Sequence, residues 1–290
     1  MTKNVLVLGG TRFFGKHLVN ELLAQGMKVT IATRGKTPDS FGSSVERLIF
    51  DREDETSIQS VLTKETYDVI YDNIAYTSND IDILMRHVTT ERYIVTSSMS
   101  VYPTFHENLV EQDFDPTAQA YRLVTYDQVN YAEGKRSVEE ILSQKYPQNS
   151  AFVRFPYVIG IDDYTKRLSF YIQSLCQQKA MSIDNLTHQM SFIDSQEAGK
   201  FLAFLGTNTF TGPVNAAAKG TISLAEIFTY VSEKTGLKPL LSPDGEAGKY
   251  NGTPPYSINV ALAEANGFQF SQLSDWIYAL CDQEIKNAQS

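Results

Sequence analysis

Residues 5–15 decide the fold of this chain, and they read Val5-Leu6-Val7-Leu8-Gly9-Gly10-Thr11-Arg12-Phe13-Phe14-Gly15. The first four residues are all apolar and predict a strand buried on both faces, as strands of parallel sheets are. A glycine-rich turn follows, and the spacing of leucines after it predicts a helix over residues 14–25. In such a strand–turn–helix unit, glycines let backbone N–H groups approach a pyrophosphate at the positive end of the helix.

This glycine loop matches the dinucleotide-binding fingerprint in part. The general pattern has three glycines; here Gly9 and Gly15 hold the outer places and Arg12 stands in the middle one. A tight turn without a ligand is the alternative interpretation. Because a strand and a helix flank the loop as the motif requires, we predict a dinucleotide site. Its predicted contacts in the loop are Gly9, Thr11, Arg12, Phe13, Phe14 and Gly15.

Strands and helices alternate from this unit to about residue 155. The alternation predicts an α/β protein with a Rossmann-type, doubly wound parallel sheet, and we expect residues 1–155 to form its dinucleotide-binding domain. Over residues 156–290 longer loops separate the helices. We expect a smaller, mixed C-terminal substrate-binding region there, with some segments returning to the Rossmann core. A long helix is predicted over residues 129–145, with Glu139 and Glu140 on its outer face.

Composition and charge exclude several classes of protein. The 290 residues are 42% hydrophobic and 20% charged, which is typical of a globular enzyme. The net charge of −9 opposes general binding to phosphate backbones, so a nucleic-acid partner is not expected. Two cysteines without a C-x-x-C pair and four scattered histidines indicate neither a disulfide framework nor a metal site. No apolar run approaches the ~18–20 residues of a membrane span, and we expect a cytoplasmic protein.

The end of the second predicted strand bears on the choice of cofactor. An NAD site would place Asp or Glu there for the ribose hydroxyls, but the sequence continues Thr33-Arg34-Gly35-Lys36. Arg34 and Lys36, together with Arg12 in the facing loop, suit a ribose 2′-phosphate. We therefore predict NADP, with NAD as the less favoured cofactor. The alternative is that Arg34 is only a solvated loop cation.

A Tyr-x-x-x-Lys motif at Tyr131 and Lys135 opens the long helix. Residues four apart share a helix face, and an ammonium there would lower the pKa of the phenol so that it can move a proton. A serine cluster after the fifth strand offers Ser98 as the hydroxyl that orients a substrate. The same spacing recurs at Tyr230 and Lys234 without an upstream hydroxyl, and we interpret Tyr230 as a packing residue.

In this order, the glycine loop, the serine cluster and the Tyr-Lys pair resemble the extended short-chain dehydrogenase/reductases, a family of NAD(P)-dependent epimerases, dehydratases and reductases. The resemblance covers nearly the whole chain. It implies that Asp51, with Arg52 beside it, faces the adenine, and that the segment with Pro156 and Tyr157 lies beside the nicotinamide. We add Ala75 to the expected cofactor contacts, together with Tyr131 and Lys135.

The loop and the Thr-Arg-Gly-Lys segment resemble an atypical branch that includes chloroplast stem-loop RNA-binding proteins. The family's dehydratases carry an Asp-Glu pair after the catalytic hydroxyl, where this chain has Met99 and Ser100. Dehydratase is therefore disfavoured, and epimerase and reductase stay open, with a nucleotide sugar or similar hydroxylated molecule as substrate. The alternatives are an RNA-binding or regulatory protein that uses the dinucleotide as a structural or sensing ligand, and a protein that binds cofactor without turnover. A homodimer through the helix at 129–145 would match many family members.

Overall fold

A computed structural model describes residues 2–146 and 149–289; Met1, Pro147, Gln148 and Ser290, which the two expected regions include, lie outside the described residues. In this part of the chain, seven parallel strands form the main sheet: β1 (Asn4–Leu8), β2 (Lys28–Thr33), β3 (Glu46–Ile49), β4 (Glu65–Asp72), β5 (Val88–Ser98), β6 (Asn149–Phe155) and β10 (Gly212–Asn215). Their order across the sheet is β10-β6-β5-β4-β1-β2-β3. The predicted Rossmann-type fold is confirmed.

Short strands form two further sheets in the C-terminal half: β7 (Tyr157–Ile159) pairs with β9 (Phe192–Asp194), and β8 (Ala180–Ser182) lies between β11 (Leu240–Leu241) and β12 (Glu246–Ala247). The described helices are α1 (Phe13–Ala24), α2 (Glu55–Gln59), α3 (Ser78–Met85), α4 (Tyr131–Gln144), α5 (Arg167–Cys176), α6 (Ser195–Leu205), α7 (Leu224–Thr235), α8 (Ala261–Ala265) and α9 (Ile277–Gln289). Within these ranges, no helix has both the length and the apolar character that crossing a bilayer needs.

The side chains of β1 alternate between two hydrophobic cores, one on each face of the sheet. Val5 and Val7 belong to the core that includes residues of α1 and α6, whereas Leu6 and Leu8 belong to the core that includes residues of α3 and α4. Both faces of β1 are therefore covered, which is why its last four residues are all apolar. The C-terminal half contributes β10, paired with β6, and α6, packed against α1.

Glu139 and Glu140 do not lie on an outer face of α4, so that expectation was wrong. Glu139 is fully buried, and its carboxylate accepts two hydrogen bonds from Arg154, at 3.0 Å from Nε and 2.6 Å from Nη2. Glu140 is 8% exposed and accepts a hydrogen bond from Gln119. Arg154, a buried residue of β6, supplies the positive charge that offsets the cost of burying Glu139. The helical spacing of Glu139 does not predict this partner.

Candidate functional site

The glycine loop brings the start of α1 close to the end of β1. Gly9 has φ +78°, a conformation that favours glycine, and a Cβ on Gly15 would lie 2.0 Å from the carbonyl oxygen of Gly9. Arg12 precedes α1 and makes no side-chain capping hydrogen bond. The first N–H groups of α1 therefore lack a side-chain acceptor, and they fit the pyrophosphate of a dinucleotide.

Two cavities lie at the carboxyl edge of the sheet beside this loop. The outer cavity, of about 430 Å³, is lined by residues that follow β2, β3 and β4 and by a loop ahead of α4: Leu8, Ala32, Thr33, Arg34, Phe50, Asp51, Arg52, Glu53, Ile74, Tyr76, Thr77, Asn79, Asp80, Thr125, Tyr126 and Asp127. The inner cavity, of about 220 Å³, is lined by Phe13, Phe14, Asn73, Tyr76, Thr96, Ser97, Ser98, Met99, Ser100, Tyr131, Lys135, Phe155, Pro156, Tyr157, Val158, Tyr164, Thr165 and Arg167. Tyr76 lines both. Open α/β sheets bind ligands at this edge.

The inner cavity brings the predicted catalytic residues together. Ser98 ends β5, Tyr131 begins α4, and Lys135 lies one turn further along that helix. A capping box fixes the start of α4: the N–H of Glu133 donates to Asn130 Oδ1 at 3.0 Å, and the N–H of Asn130 donates to Glu133 Oε2 at 3.2 Å. The cap thus sets where Tyr131 leaves the loop.

Lys135 is held in place by two backbone carbonyls. Its Nζ donates to the carbonyl oxygens of Ala75 and Thr96, both at 2.7 Å, and lies 4.8 Å from the centre of the Tyr76 ring. The residue is 2% exposed, and burial lowers its pKa to about 8, against the opposing charge of Asp72. An ammonium has three donors, so one is left for the cleft.

The pKa of Tyr131 is raised, which is the opposite of the direction expected from its partner lysine. Desolvation in the cleft is the largest cause, while the Ser98 hydroxyl and the charge of Arg167 act to lower it. Water still reaches Tyr131, which is 48% exposed.

Of the three cations expected around a 2′-phosphate, Arg34 lines one of the two cavities. Arg34 is exposed and lines the outer cavity, but Lys36 and Arg12 line neither cavity. The Arg12 guanidinium lies 5.6 Å from the ring centre of Tyr164. Four carboxylates share the wall of the outer cavity with Arg34, namely Asp51, Glu53, Asp80 and Asp127.

Arg52 also lines the outer cavity, but its charge is already paired. It donates to both carboxylate oxygens of the fully buried Asp72, at 2.7 and 3.0 Å, and to the carbonyl of Asp80 at 3.2 Å. Burial disfavours the charge on Asp72, yet the attraction of Arg52 and the hydrogen bonds outweigh it and lower the pKa of that carboxyl. Arg52 therefore supports the end of β4 and carries little free charge for a phosphate.

Ala75 follows β4 and is fully buried. Its carbonyl oxygen accepts a hydrogen bond from Lys135 and so connects it to the site. Pro156 and Tyr157 line the inner cavity. Sequence reasoning missed Tyr76, Tyr164 and Arg167. Tyr76 could have been found, because it comes directly after a buried strand at the carboxyl edge; the other two follow a short strand that only the packed structure places beside the cleft.

Three comparisons relate this chain to known proteins. Residues 5–82 match the model of the NAD dependent epimerase/dehydratase family. The chain is 27% identical over 220 residues to the chloroplast stem-loop binding protein of 41 kDa b of Arabidopsis thaliana, covering 70% of this chain and 55% of the relative. This chain therefore spans about half the length of that relative.

Solved structures show the same fold at low identity. MoeE5 in complex with UDP-glucose and NAD is 18% identical, with a TM-score of 0.71 over 99% of this chain and 100% of that one. UDP-glucose 4-epimerase of Thermotoga maritima with UDP-glucose is 13% identical, with a TM-score of 0.74 over 99% and 100% of the two chains. ADP-L-glycero-D-manno-heptose-6-epimerase of Helicobacter pylori is 14% identical, with a TM-score of 0.72 over 100% and 97%.

The fold, the glycine loop and the family model matched by residues 5–82 define the class of protein that this chain is similar to: the extended short-chain dehydrogenase/reductases of the NAD-dependent epimerase/dehydratase type. Within that class it is similar to the chloroplast stem-loop binding protein, so the resemblance to that branch is confirmed as well.

Proposed function

We propose that this protein is an NAD(P)-dependent enzyme of the epimerase or reductase type that acts on a nucleotide sugar or a similar hydroxylated molecule. The observation that carries the proposal is that Ser98, Tyr131 and Lys135 line one cavity with Phe13 and Phe14 from the start of α1. A nicotinamide dinucleotide, once bound, supplies the donor or acceptor of a hydride.

The three polar side chains have different proposed roles. Tyr131 gives a proton to, or takes one from, the oxygen of the reacting carbon. Ser98 orients that oxygen; its Oγ already accepts from the N–H of Ser100 at 3.1 Å, which keeps the hydroxyl at the end of β5. Lys135 keeps a positive charge beneath Tyr131 and stabilises the phenolate that forms when the proton leaves.

The experiment compares wild type with Tyr131→Phe and with Tyr230→Phe as the matched control. Tyr230 has the same spacing to a lysine, but it lies on α7, where its hydroxyl donates to Asp282 at 2.9 Å. We expect Tyr131→Phe to lower turnover of a UDP-sugar by about 100-fold or more and to keep cofactor binding, because the phenol acts in proton transfer. Equal turnover by wild type and Tyr131→Phe would overturn the proposal.

The structure favours epimerase or reductase chemistry over dehydration. Met99 and Ser100 line the inner cavity, and no carboxylate does among its described lining residues. Elimination needs an acid and a base in addition to the group that assists hydride transfer, and this wall offers no carboxylate for that task. A reductase would consume NADPH in proportion to product, whereas an epimerase would leave the nicotinamide absorbance unchanged at the end of the reaction.

We further propose that NADP is the preferred cofactor and that Arg34 binds its 2′-phosphate. Residues 34–38, which directly follow β2, include no carboxylate, and Arg34 is the cation of the predicted three that lines the outer cavity. A homodimer through α4 stays a prediction, which light scattering of the purified protein tests.

Binding of structured RNA is the second candidate, because the relative quoted above is a stem-loop binding protein. The net charge of −9 opposes it. A salt-sensitive shift of a stem-loop RNA in a gel would support this function, and no shift at low salt would remove it.

A further inference from the structure

Residues 160–165 form a strap that joins β7 to α5 and lies against the glycine loop. The ring centre of Tyr164, in this strap, is 6.0 Å from that of Phe13, with the two rings edge to face at 84°. The guanidinium carbon of Arg12 lies 5.6 Å from the same ring centre. Tyr164 also lines the inner cavity. The strap therefore contacts the loop that fits the pyrophosphate and forms part of the wall of the inner cavity.

The carboxylate of Asp162 joins the strap to two helices. His17 Nε2, on α1, lies 2.9 Å from Asp162 Oδ2, and the hydroxyl of Ser195, at the start of α6, donates to Asp162 Oδ1 at 2.8 Å. The side chains of His17 and Asp162 are 22% and 30% exposed, so solvent screens this contact only in part. Burial acts to raise the pKa of Asp162, but the bonds from His17 and Ser195 outweigh it and lower that pKa. Asp162 is therefore ionised at neutral pH.

The two helices that hold Asp162 are themselves packed closely. A Cβ on Gly199, in α6, would lie 2.6 Å from the Cβ of His17, so α1 and α6 touch where the histidine leaves its helix. The strap approaches α6 just as closely, because a Cβ on Gly160 would lie 2.3 Å from Ser195 Oγ. The two helices thus form one support for the start of the strap.

Two residues with unfavourable backbone conformations lie at the contact between strap and loop. Phe13, whose ring meets Tyr164, has φ +53°, and Lys166, which follows the strap, has φ +52°. Non-glycine residues in this left-handed region cost free energy and persist where surrounding contacts hold them. The bonds of Asp162 are such contacts, since they fix the strap between Gly160 and Tyr164.

We infer that Asp162 is a positioning residue, which through His17 and Ser195 holds the strap against the glycine loop so that Tyr164 covers a bound dinucleotide. Asp162 lines neither cavity, so it acts through the strap and not by touching the cofactor. Without the carboxylate the strap opens more often, and the dinucleotide leaves more easily. The inference rests on the proposed function and deepens it by naming the segment that retains the cofactor.

The test measures opening of the strap and retention of the cofactor in wild type, Asp162→Ala, Asp162→Asn and Glu55→Ala. Trypsin reports opening, because the exposed Lys166 directly follows the strap, and mass spectrometry follows the fragment that ends there. Glu55→Ala is the matched control: it removes a carboxylate that pairs with His87 at 3.2 Å and lines neither cavity. Thermal unfolding shows that each variant is folded, and calorimetric titration measures binding of NADP⁺ and NAD⁺.

We expect cleavage after Lys166 to be about 10-fold faster in Asp162→Ala than in wild type, and unchanged in Glu55→Ala. Asp162→Asn should be intermediate, because the amide oxygen still accepts from Ser195 while the charge is lost. We expect the bound dinucleotide to slow cleavage in wild type, and Asp162→Ala to bind it about 10-fold more weakly.

Equal cleavage of wild type and Asp162→Ala would overturn the inference, and so would faster cleavage with unchanged affinity for the dinucleotide. If neither NADP⁺ nor NAD⁺ binds wild type, the proposed function fails, whereas the cleavage rates of the free proteins still show whether Asp162 holds the strap.

Discussion

The ammonium of Lys135 lies 2.7 Å from the carbonyl oxygen of Ala75, and this bond ties α4 to the segment that follows β4. The other end of that segment is held by Asp72, which pairs with Arg52. The segment of residues 72–75, which lies between the two cavities, is thus held at both of its ends. A rigid support of this kind keeps the reacting groups in one geometry, which is what proton and hydride transfer need.

The choice between NADP and NAD depends on Arg34. We expect Arg34→Leu to weaken binding of NADP⁺ by about 10-fold and to leave binding of NAD⁺ nearly unchanged, because a charge-assisted contact to the 2′-phosphate is lost. Calorimetric titration with both cofactors measures this. Lys36→Leu is the control, since Lys36 lines neither cavity. Tighter binding of NAD⁺ than of NADP⁺ by wild type would contradict the predicted cofactor.

Gly15 is required by the close approach of α1 to the loop. In Gly15→Ala the new Cβ would lie 2.0 Å from the carbonyl oxygen of Gly9, so the loop or the helix must shift. We expect binding of either dinucleotide to fall by about 10-fold or more, because the N–H groups are displaced from the phosphates. Gly26→Asn is a control at a site where a Cβ meets nothing within 4 Å. Unchanged affinity in Gly15→Ala would place the phosphates elsewhere.

Arg154 and Glu139 form a buried ion pair, and the fold depends on both partners being present. In Glu139→Gln the guanidinium of Arg154 would stay buried without its counter-charge, and we expect the free energy of unfolding to fall by about 3–5 kcal/mol. Urea denaturation measures the change. The exposed pair of Lys28 and Glu46 provides the comparison, and Glu46→Gln should change the free energy of unfolding by less than about 1 kcal/mol. Equal effects of the two substitutions would show that the buried Arg154 does not depend on the charge of Glu139.

The pair of Arg52 and Asp72 predicts a dependence of stability on pH. The pKa of Asp72 is lowered in the folded protein, so the pair stabilises the fold above the ordinary carboxyl pKa of 3.8 and loses this contribution as pH falls through the lowered value. In Arg52→Met the Asp72 carboxylate is buried unpaired. We expect a loss of stability at pH 7 that shrinks as pH falls, because burial without a counter-charge raises the pKa of Asp72 in the variant and lets the carboxyl take a proton above its ordinary pKa of 3.8.

Urea denaturation of wild type and Arg52→Met at a series of pH values checks this prediction. Lys28→Met is the control, because Lys28 and its partner Glu46 are both more than half exposed. A loss of stability in Arg52→Met that is the same at every pH would show that Arg52 acts through packing and not through the charge of Asp72.

Patterns along the chain were enough to predict the fold and the residues at the strand ends. An apolar run of four residues indicates a strand that is buried on both faces, and the glycine loop indicates a close approach of the backbone. Both features depend on residues that are adjacent in the sequence. The order of these motifs also led to Ser98, Tyr131 and Lys135, because parallel strands bring their carboxyl ends to one edge. The structure brings these three residues to one cavity.

Which charges are paired depended on packing between residues far apart in the sequence. Glu139 forms a buried ion pair with Arg154, and Asp72 forms one with Arg52. The same packing places Arg34 in the lining of the outer cavity and Arg12 beside the ring of Tyr164. Charge pairing is set by distances in space and by the loss of water on burial, and neither is encoded in the spacing of residues along one helix or strand.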